Sequence, residues 1–180
     1  MSADRGDILL AVARAELSRA FGIRHEVDED LPWLQAPGAS FVTLTQHGDL
    51  RGCIGTLEAH RPLLQDIKAN VLASAFHDPR FSPLQEFELP HTAVEVSLLA
   101  PPQAMTFRDE RDALAQLRPG VDGLILQFGH RRSTFLPQVW EQLPDPRQFM
   151  AHLKYKAGLP TDFWSPDFRL ARYTVDKWKE

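Results

Sequence analysis

The chain of 180 residues has a single cysteine, Cys53. One cysteine cannot form an internal disulfide, and it excludes a zinc site built on several thiolates. A reducing compartment, the cytoplasm, is therefore expected. Long apolar runs are also missing. No stretch approaches the roughly 20 residues of a membrane helix, so no membrane association is expected. The opening Met1-Ser2-Ala3-Asp4-Arg5-Gly6-Asp7 carries acids and no apolar core, and does not read as a signal peptide. Positive charge is not in excess: 20 Lys and Arg stand against 24 Asp and Glu, a net charge of −4. That argues against a phosphate-tracking surface, and no nucleic-acid partner is expected. The seven histidines show neither His-x-His nor His-x3-His spacing, so no metal is expected. There is no phosphate-cradling glycine loop and no dinucleotide fingerprint, hence no expected cofactor. No internal repeat or low-complexity tract interrupts the chain.

What is present is the composition of an ordinary globular protein, 43% hydrophobic and 24% charged, long enough for one core divided into two lobes. Asp7 is positioned to cap a helix over 8–21, ended by Gly22. Residues 40–45 and 50–56 alternate as the arms of an antiparallel hairpin around His47-Gly48-Asp49. Pro62 suits the start of a helix reaching Phe76 through Leu64, Ile67, Val71, Leu72 and Ala75. His77-Asp78-Pro79-Arg80-Phe81-Ser82-Pro83 breaks that pattern. Residues 92–99 form the clearest strand. A helix over 108–117, a hairpin over 124–136, a helix over 146–157 and a strand over 168–175 follow. Without a regular βαβ rhythm, the fold class is α+β, mostly antiparallel sheet with helices packed on it. The chain is one domain, 1–180, with a smaller lobe at about 57–118.

The segment Leu50-Arg51-Gly52-Cys53-Ile54-Gly55 sets the lone cysteine between two glycines, near an arginine. Glycine in a strand admits a close ligand or backbone, and a nearby guanidinium favours thiolate. Strand alternation places Leu50, Gly52 and Ile54 on one face and Arg51, Cys53 and Gly55 on the other. In 92–99, Val94, Val96 and Leu98 share one face, Glu95, Ser97 and Leu99 the other. If both strands join one sheet, the aliphatic faces pack inward, and Arg51, Cys53, Glu95 and Ser97 gather opposite. A bulge at Gly52 or Gly55 would shift that register.

These residues also carry a resemblance. The Arg51–Gly55 motif, Asp78-Pro79-Arg80-Phe81-Ser82-Pro83-Leu84 and Glu95-Val96-Ser97-Leu98-Leu99 resemble the AMMECR-one domain. So do Pro119-Gly120-Val121-Asp122-Gly123, Thr134–Trp140 and Lys156-Ala157-Gly158-Leu159. The likeness runs from about residue 8 to 176, and prokaryotic members are called AmmeMemoRadiSam system protein A. It implies an α+β fold of two lobes with a cleft near the Arg-Gly-Cys-Ile-Gly motif. It also implies partnership with a Memo-like protein and a radical S-adenosylmethionine protein, and no settled biochemical activity. Bacterial relatives often carry a second cysteine just before Lys-Ala-Gly-Leu. Here Leu153-Lys154-Tyr155-Lys156 has none, so a mechanism that needs a cysteine pair is not expected.

Two roles stay open for each candidate. Cys53 is a nucleophile or group carrier, or a small buried apolar side chain. Glu95 is a general acid or base beside it, or the counter-ion of Arg51 or Arg80. Asp78 and Arg80 bind a polar ligand, or brace a proline-rich loop through backbone N–H groups and an ion pair. Arg51 would bind an anion, Gly52 and Gly55 would admit a ligand to the backbone, and Ser97 would donate or accept a hydrogen bond. The functional expectation is a small cytosolic enzyme, or enzyme component, acting on a small polar or anionic substrate. The alternative is a non-catalytic adaptor for the Memo-like and radical partners.

Overall fold

A computed structural model describes residues 4–180; the first three residues of the acidic start lie outside it. Two compact units form, one of residues up to Leu99 together with Asp176–Glu180, the other of Ala100–Val175. Residues 57–99 of the lobe anticipated at 57–118 thus belong to the first unit and 100–118 to the second.

The first unit opens with α1 (Arg5–Arg19) and a single turn, α2 (Pro32–Gln35). The hairpin strands β1 (Ala39–Gln46) and β2 (Asp49–Gly55) follow, then α3 (Leu63–Phe76) and β3 (Ala93–Leu99). Helix α1 starts two residues before the anticipated Asp7 cap. Asp4 holds the cap position without a side-chain bond, and Asp7 lies in the first turn, where a negative charge suits the helix dipole. Helices α1 and α3 cover the sheet face that carries Val42, Leu44, Val94 and Val96, and Leu9, Val12, Leu17, Ile67 and Val71 complete this core. The apolar positions of α3 read from sequence face it because they recur every three or four residues.

The second unit holds β4 (Gln103–Ala104), α4 (Glu110–Gln116), the hairpin β5 (Gly123–Phe128) and β6 (Arg131–Phe135), α5 (Pro146–Lys156) and β7 (Arg169–Tyr173). Its strands run in the order β4-β7-β5-β6, antiparallel at each described pairing. Its core is separate, built on Leu124, Leu126, Met150, Leu153, Leu170 and a Trp140 ring stacked on Phe149 at 3.8 Å. The single strand anticipated at 168–175 is instead two. Strand β7 ends at Tyr173, and β8 (Val175–Lys179) joins the first sheet, whose order is β2-β1-β3-β8. No helix among the described residues is long and apolar enough to cross a membrane.

Candidate functional site

In the first sheet β2 lies at one edge, paired antiparallel with β1, and β1 pairs antiparallel with β3. Cys53 stands opposite Thr43, and Thr43 opposite Glu95; Gly55 stands opposite Phe41, and Phe41 opposite Ser97. Directly paired residues share a face. Cys53, Glu95 and Ser97 therefore gather on the face opposite the helices, as alternation predicts. Cys53, Thr43 and Glu95 are half-buried and Ser97 is buried. Cys53 Sγ lies 3.3 Å from Thr43 Oγ1. Glu95 has no hydrogen-bonding or ion-pair partner among the described residues, so it is not the counter-ion of Arg51 or Arg80.

Arg51 departs from the pattern. The ladder pairs Gly52 with Leu44 but Leu50 with Thr45, so Arg51 is the extra residue of a β-bulge. Leu50 consequently falls in the row of Thr45, on the Cys53 face, and is 43% exposed; unbroken alternation had put it with Ile54. The Arg51 guanidinium is committed to Glu88, with Nε 3.0 Å from Oε1 and Nη2 3.2 Å from Oε2, and it donates to the Ser82 carbonyl at 2.9 Å. Its side chain is only 11% exposed, and its Nη1 is buried without a partner. The Arg51 guanidinium holds the Glu88 carboxyl below its usual range, against the opposing effect of burial. Glu88 escaped the sequence reading because it sits in a short 3-10 turn with no hydrophobic period to place it.

The glycines of the motif serve two different approaches. A Cβ on Gly52 would fall on the carbonyl oxygen of Ser74, so its absence lets α3 press against β2. A Cβ on Gly55 would enter the Phe41 ring, which covers that position from the neighbouring strand. In this structure both serve packing within the protein.

The segment after α3 closes the outer edge of β2. Asp78 Oδ2 accepts from the Cys53 amide at 3.0 Å, and Oδ1 accepts from the Arg80 amide at 3.0 Å. Arg80 Nη2 donates to Asp78 at 2.7 Å and reaches the Cys53 carbonyl at 3.5 Å. The Phe81 ring lies within 5.8 Å of the Arg51 guanidinium carbon and 5.5 Å of that of Arg80. An edge strand with open N–H and C=O groups invites unwanted pairing, and here Asp78 and Arg80 occupy those groups at Cys53. The Arg80 guanidinium, aided by the two backbone amides, holds the Asp78 carboxyl far below the ordinary range despite burial. Asp78 is buried, whereas the Arg80 side chain is 55% exposed. The cation beside the Cys53 backbone is thus Arg80, and Arg51 is turned to Glu88.

Three functional-looking polar residues of α3 were not read from sequence. Asp66, Asn70 and Ser74 fall four apart and form one polar stripe beside the apolar one. Ser74 Oγ donates to Val42 O at 2.7 Å and accepts from the Ile54 amide at 2.9 Å, bridging β1 and β2. Asp66 is fully buried and takes hydrogen bonds from the Ser40 amide and hydroxyl, Thr56, Arg61 and Asn70. The signal was available in the fourfold spacing, but the hydrophobic period obscured it. No histidine forms a hydrogen bond with Cys53 among the described residues. No group of three or more His, Cys, Asp or Glu there is arranged to hold a metal ion.

This architecture has relatives. The AMMECR1 family model matches residues 10–178. The chain belongs to the AMMECR1 family. A protein of Methanothermobacter thermautotrophicus is 37% identical over 186 residues, covering 100% of this chain and 96% of that protein. Protein MJ0810 of Methanocaldococcus jannaschii is 34% identical over 168 residues, covering 91% and 84%. The crystal structure of the uncharacterized protein PH0010 from Pyrococcus horikoshii superimposes with a TM-score of 0.81 at 32% identity, covering 97% of this chain and 91% of that one. The segments Arg51–Gly55, Asp78–Pro83 and Glu95–Leu99, which carry the sequence resemblance, lie in and along one sheet. The first two lie along the β2 edge and the third runs two strands away.

Proposed function

We propose that this AMMECR1-family protein handles a small polar or anionic substrate at the Cys53 face, with Cys53 as the attacking thiol and Glu95 as the acceptor of its proton. One observation carries the reading: a lone thiol, a hydroxyl in contact with it and an unpartnered carboxylate stand in a single cross-strand row. Thr43 Oγ1 hydrogen-bonds the sulfur, and Glu95 in the same row takes up the thiol proton, which leaves a thiolate and a neutral carboxyl. Arg80, half-exposed beside the Cys53 backbone, supplies positive charge for an anionic substrate. Ser97, buried on the same face, provides a hydroxyl one row further along.

Iodoacetamide tests this directly. At neutral pH the native protein is expected to alkylate at Cys53 faster than an unstructured cysteine peptide. Glu95→Gln and Thr43→Val should each slow it by about tenfold, the effect of a one-unit change in proton affinity. Cys53→Ser supplies the blank. A native rate no greater than the peptide's, or one untouched by Glu95→Gln, overturns the reading.

A second reading is favoured by the engagement of Arg51, Asp78 and Arg80 in bracing, which leaves the exposed half of the Arg80 side chain and the exposed Leu50 and Phe87 as surface nearby. On it the chain is an adaptor for the Memo-like or radical S-adenosylmethionine protein that the family resemblance implies. Arg80→Ala would then weaken co-purification of the partner, and Cys53→Ser would leave it intact.

A further inference from the structure

The first turn of α1 and the segment over 23–33 enclose a groove of about 770 Å³ within the first unit. This is the size of an ordinary small-molecule site. Its lining includes none of the residues discussed at the Cys53 face. Half-buried Val27 and Leu31 form apolar walls, and the Trp33 ring is half-buried beside them. The guanidinium carbon of Arg5 stands 4.5 Å from the centre of the Trp33 ring. Ile8, Ala11, Asp7 and Asp28 complete the lining, and neither aspartate has an ion-pair partner among the described residues. The surrounding sequence adds Glu26 and Asp30 beside Arg24 and His25, and Glu29 is paired with Lys68 at 2.8 Å.

The chemistry of these walls selects a sign and a shape. An indole face attracts cations through its quadrupole. Asp7, in the first turn of α1, and Asp28, which accepts from the Asp30 amide at 3.0 Å, have no ion-pair partner among the described residues and favour the same charge at the mouth of the groove. The contact already made by Arg5 shows the preference, since a basic side chain of the protein itself lies over the ring. The first turn of α1 is held by Trp178, which does not line the groove. A Cβ on Gly6 would enter the Trp178 ring, so only glycine lets that ring seat against the helix.

We propose that this groove is a binding site for a small organic cation, an ammonium or guanidinium group on an apolar stem. The cation takes the place of Arg5 over Trp33, its stem lies against Val27 and Leu31, and Asp7 and Asp28 pair with its charge. Arg5 is then an internal competitor that covers the ring when the groove is empty of ligand.

Phenethylammonium is a suitable probe, with 2-phenylethanol as its neutral counterpart and 3-phenylpropionate as the anion. Binding is followed by the NMR shift of the Trp33 indole N–H, assigned with Trp33→Phe. The ammonium is expected to bind about tenfold more tightly than the alcohol, in line with a partly desolvated cation–aromatic contact. The anion should bind more weakly than either. Asp7→Asn combined with Asp28→Asn should remove most of the preference for the cation. Arg5→Ala should tighten ammonium binding severalfold, because the competing guanidinium is gone. Equal binding of ammonium and alcohol overturns the proposal, as does weaker ammonium binding in Arg5→Ala. The exposed Arg5, Asp7 and Asp28 can be replaced without disturbing the core, so a folding failure does not confuse the result.

Discussion

Asp78 sits where the candidate site and the stability of the sheet meet. Its carboxylate ties the Cys53 amide, its own loop and Arg80 together. Because Arg80 and the amides depress its proton affinity in the folded protein, the stabilisation is complete at pH above the ordinary carboxylate range. It is lost as pH falls through that range towards the lower folded value. Asp78→Asn is therefore expected to cost about 2 kcal/mol at neutral pH, the scale of a charge-assisted hydrogen bond. The gap between wild type and variant should narrow below about pH 4, where an unperturbed aspartate takes up its proton. Urea midpoints at pH 7 and pH 3 check this, and a gap that widens in acid would contradict it. At this scale the sequence was partly legible. Alternation along β2 and β3 placed Cys53, Glu95 and Ser97 together, since a strand side chain has only two directions to choose between. The partner of Arg51 was not legible, because Glu88 lies in an irregular segment 37 residues away.

Among the elements, α3 gives the clearest division between what a pattern announces and what it conceals. Its apolar stripe announced a helix against the sheet, and the helix is there. Its polar stripe joins strands rather than facing water. The Ser74 hydroxyl both donates and accepts between β1 and β2, so Ser74→Ala leaves the Val42 carbonyl and the Ile54 amide each short of a partner. A loss of about 1–2 kcal/mol is expected, together with faster amide exchange at Ile54 measured by NMR. Ser74→Thr should retain much of the protection by keeping the hydroxyl. Gly52 belongs to the same contact. Its missing side chain and the nearness of α3 are one fact seen from two elements, and neither is readable without the other.

For the whole molecule, the mixture of helices with antiparallel strands followed from sequence because no βαβ rhythm was present. The partition into units did not. Residues 169–179 contain neither glycine nor proline, so nothing in the pattern marks Thr174 as the point where one strand ends and the next joins a different sheet. Two separate cores give a testable consequence. Phe149→Ala removes a fully buried ring from the second core and should cost about 3–5 kcal/mol there. Hydrogen exchange followed by mass spectrometry is expected to show the loss of protection concentrated in 100–175, with α3 and β1 much less affected. A uniform loss across both units would show that they unfold as one.

The spare residue at Arg51 stands outside the phase of the hairpin. Remove it, and Leu50 would follow Gly52 directly while still facing Thr45, and Asp49 would still face Gln46, so the rungs on either side of the bulge already fit together without it. What would vanish is the guanidinium that ties this edge to Glu88 and the Ser82 carbonyl. The bulge thus gives one amino acid over to an anchor rather than to a rung, so a single-codon deletion there should cost about as much as Arg51→Ala and leave the pairing of the two strands unchanged.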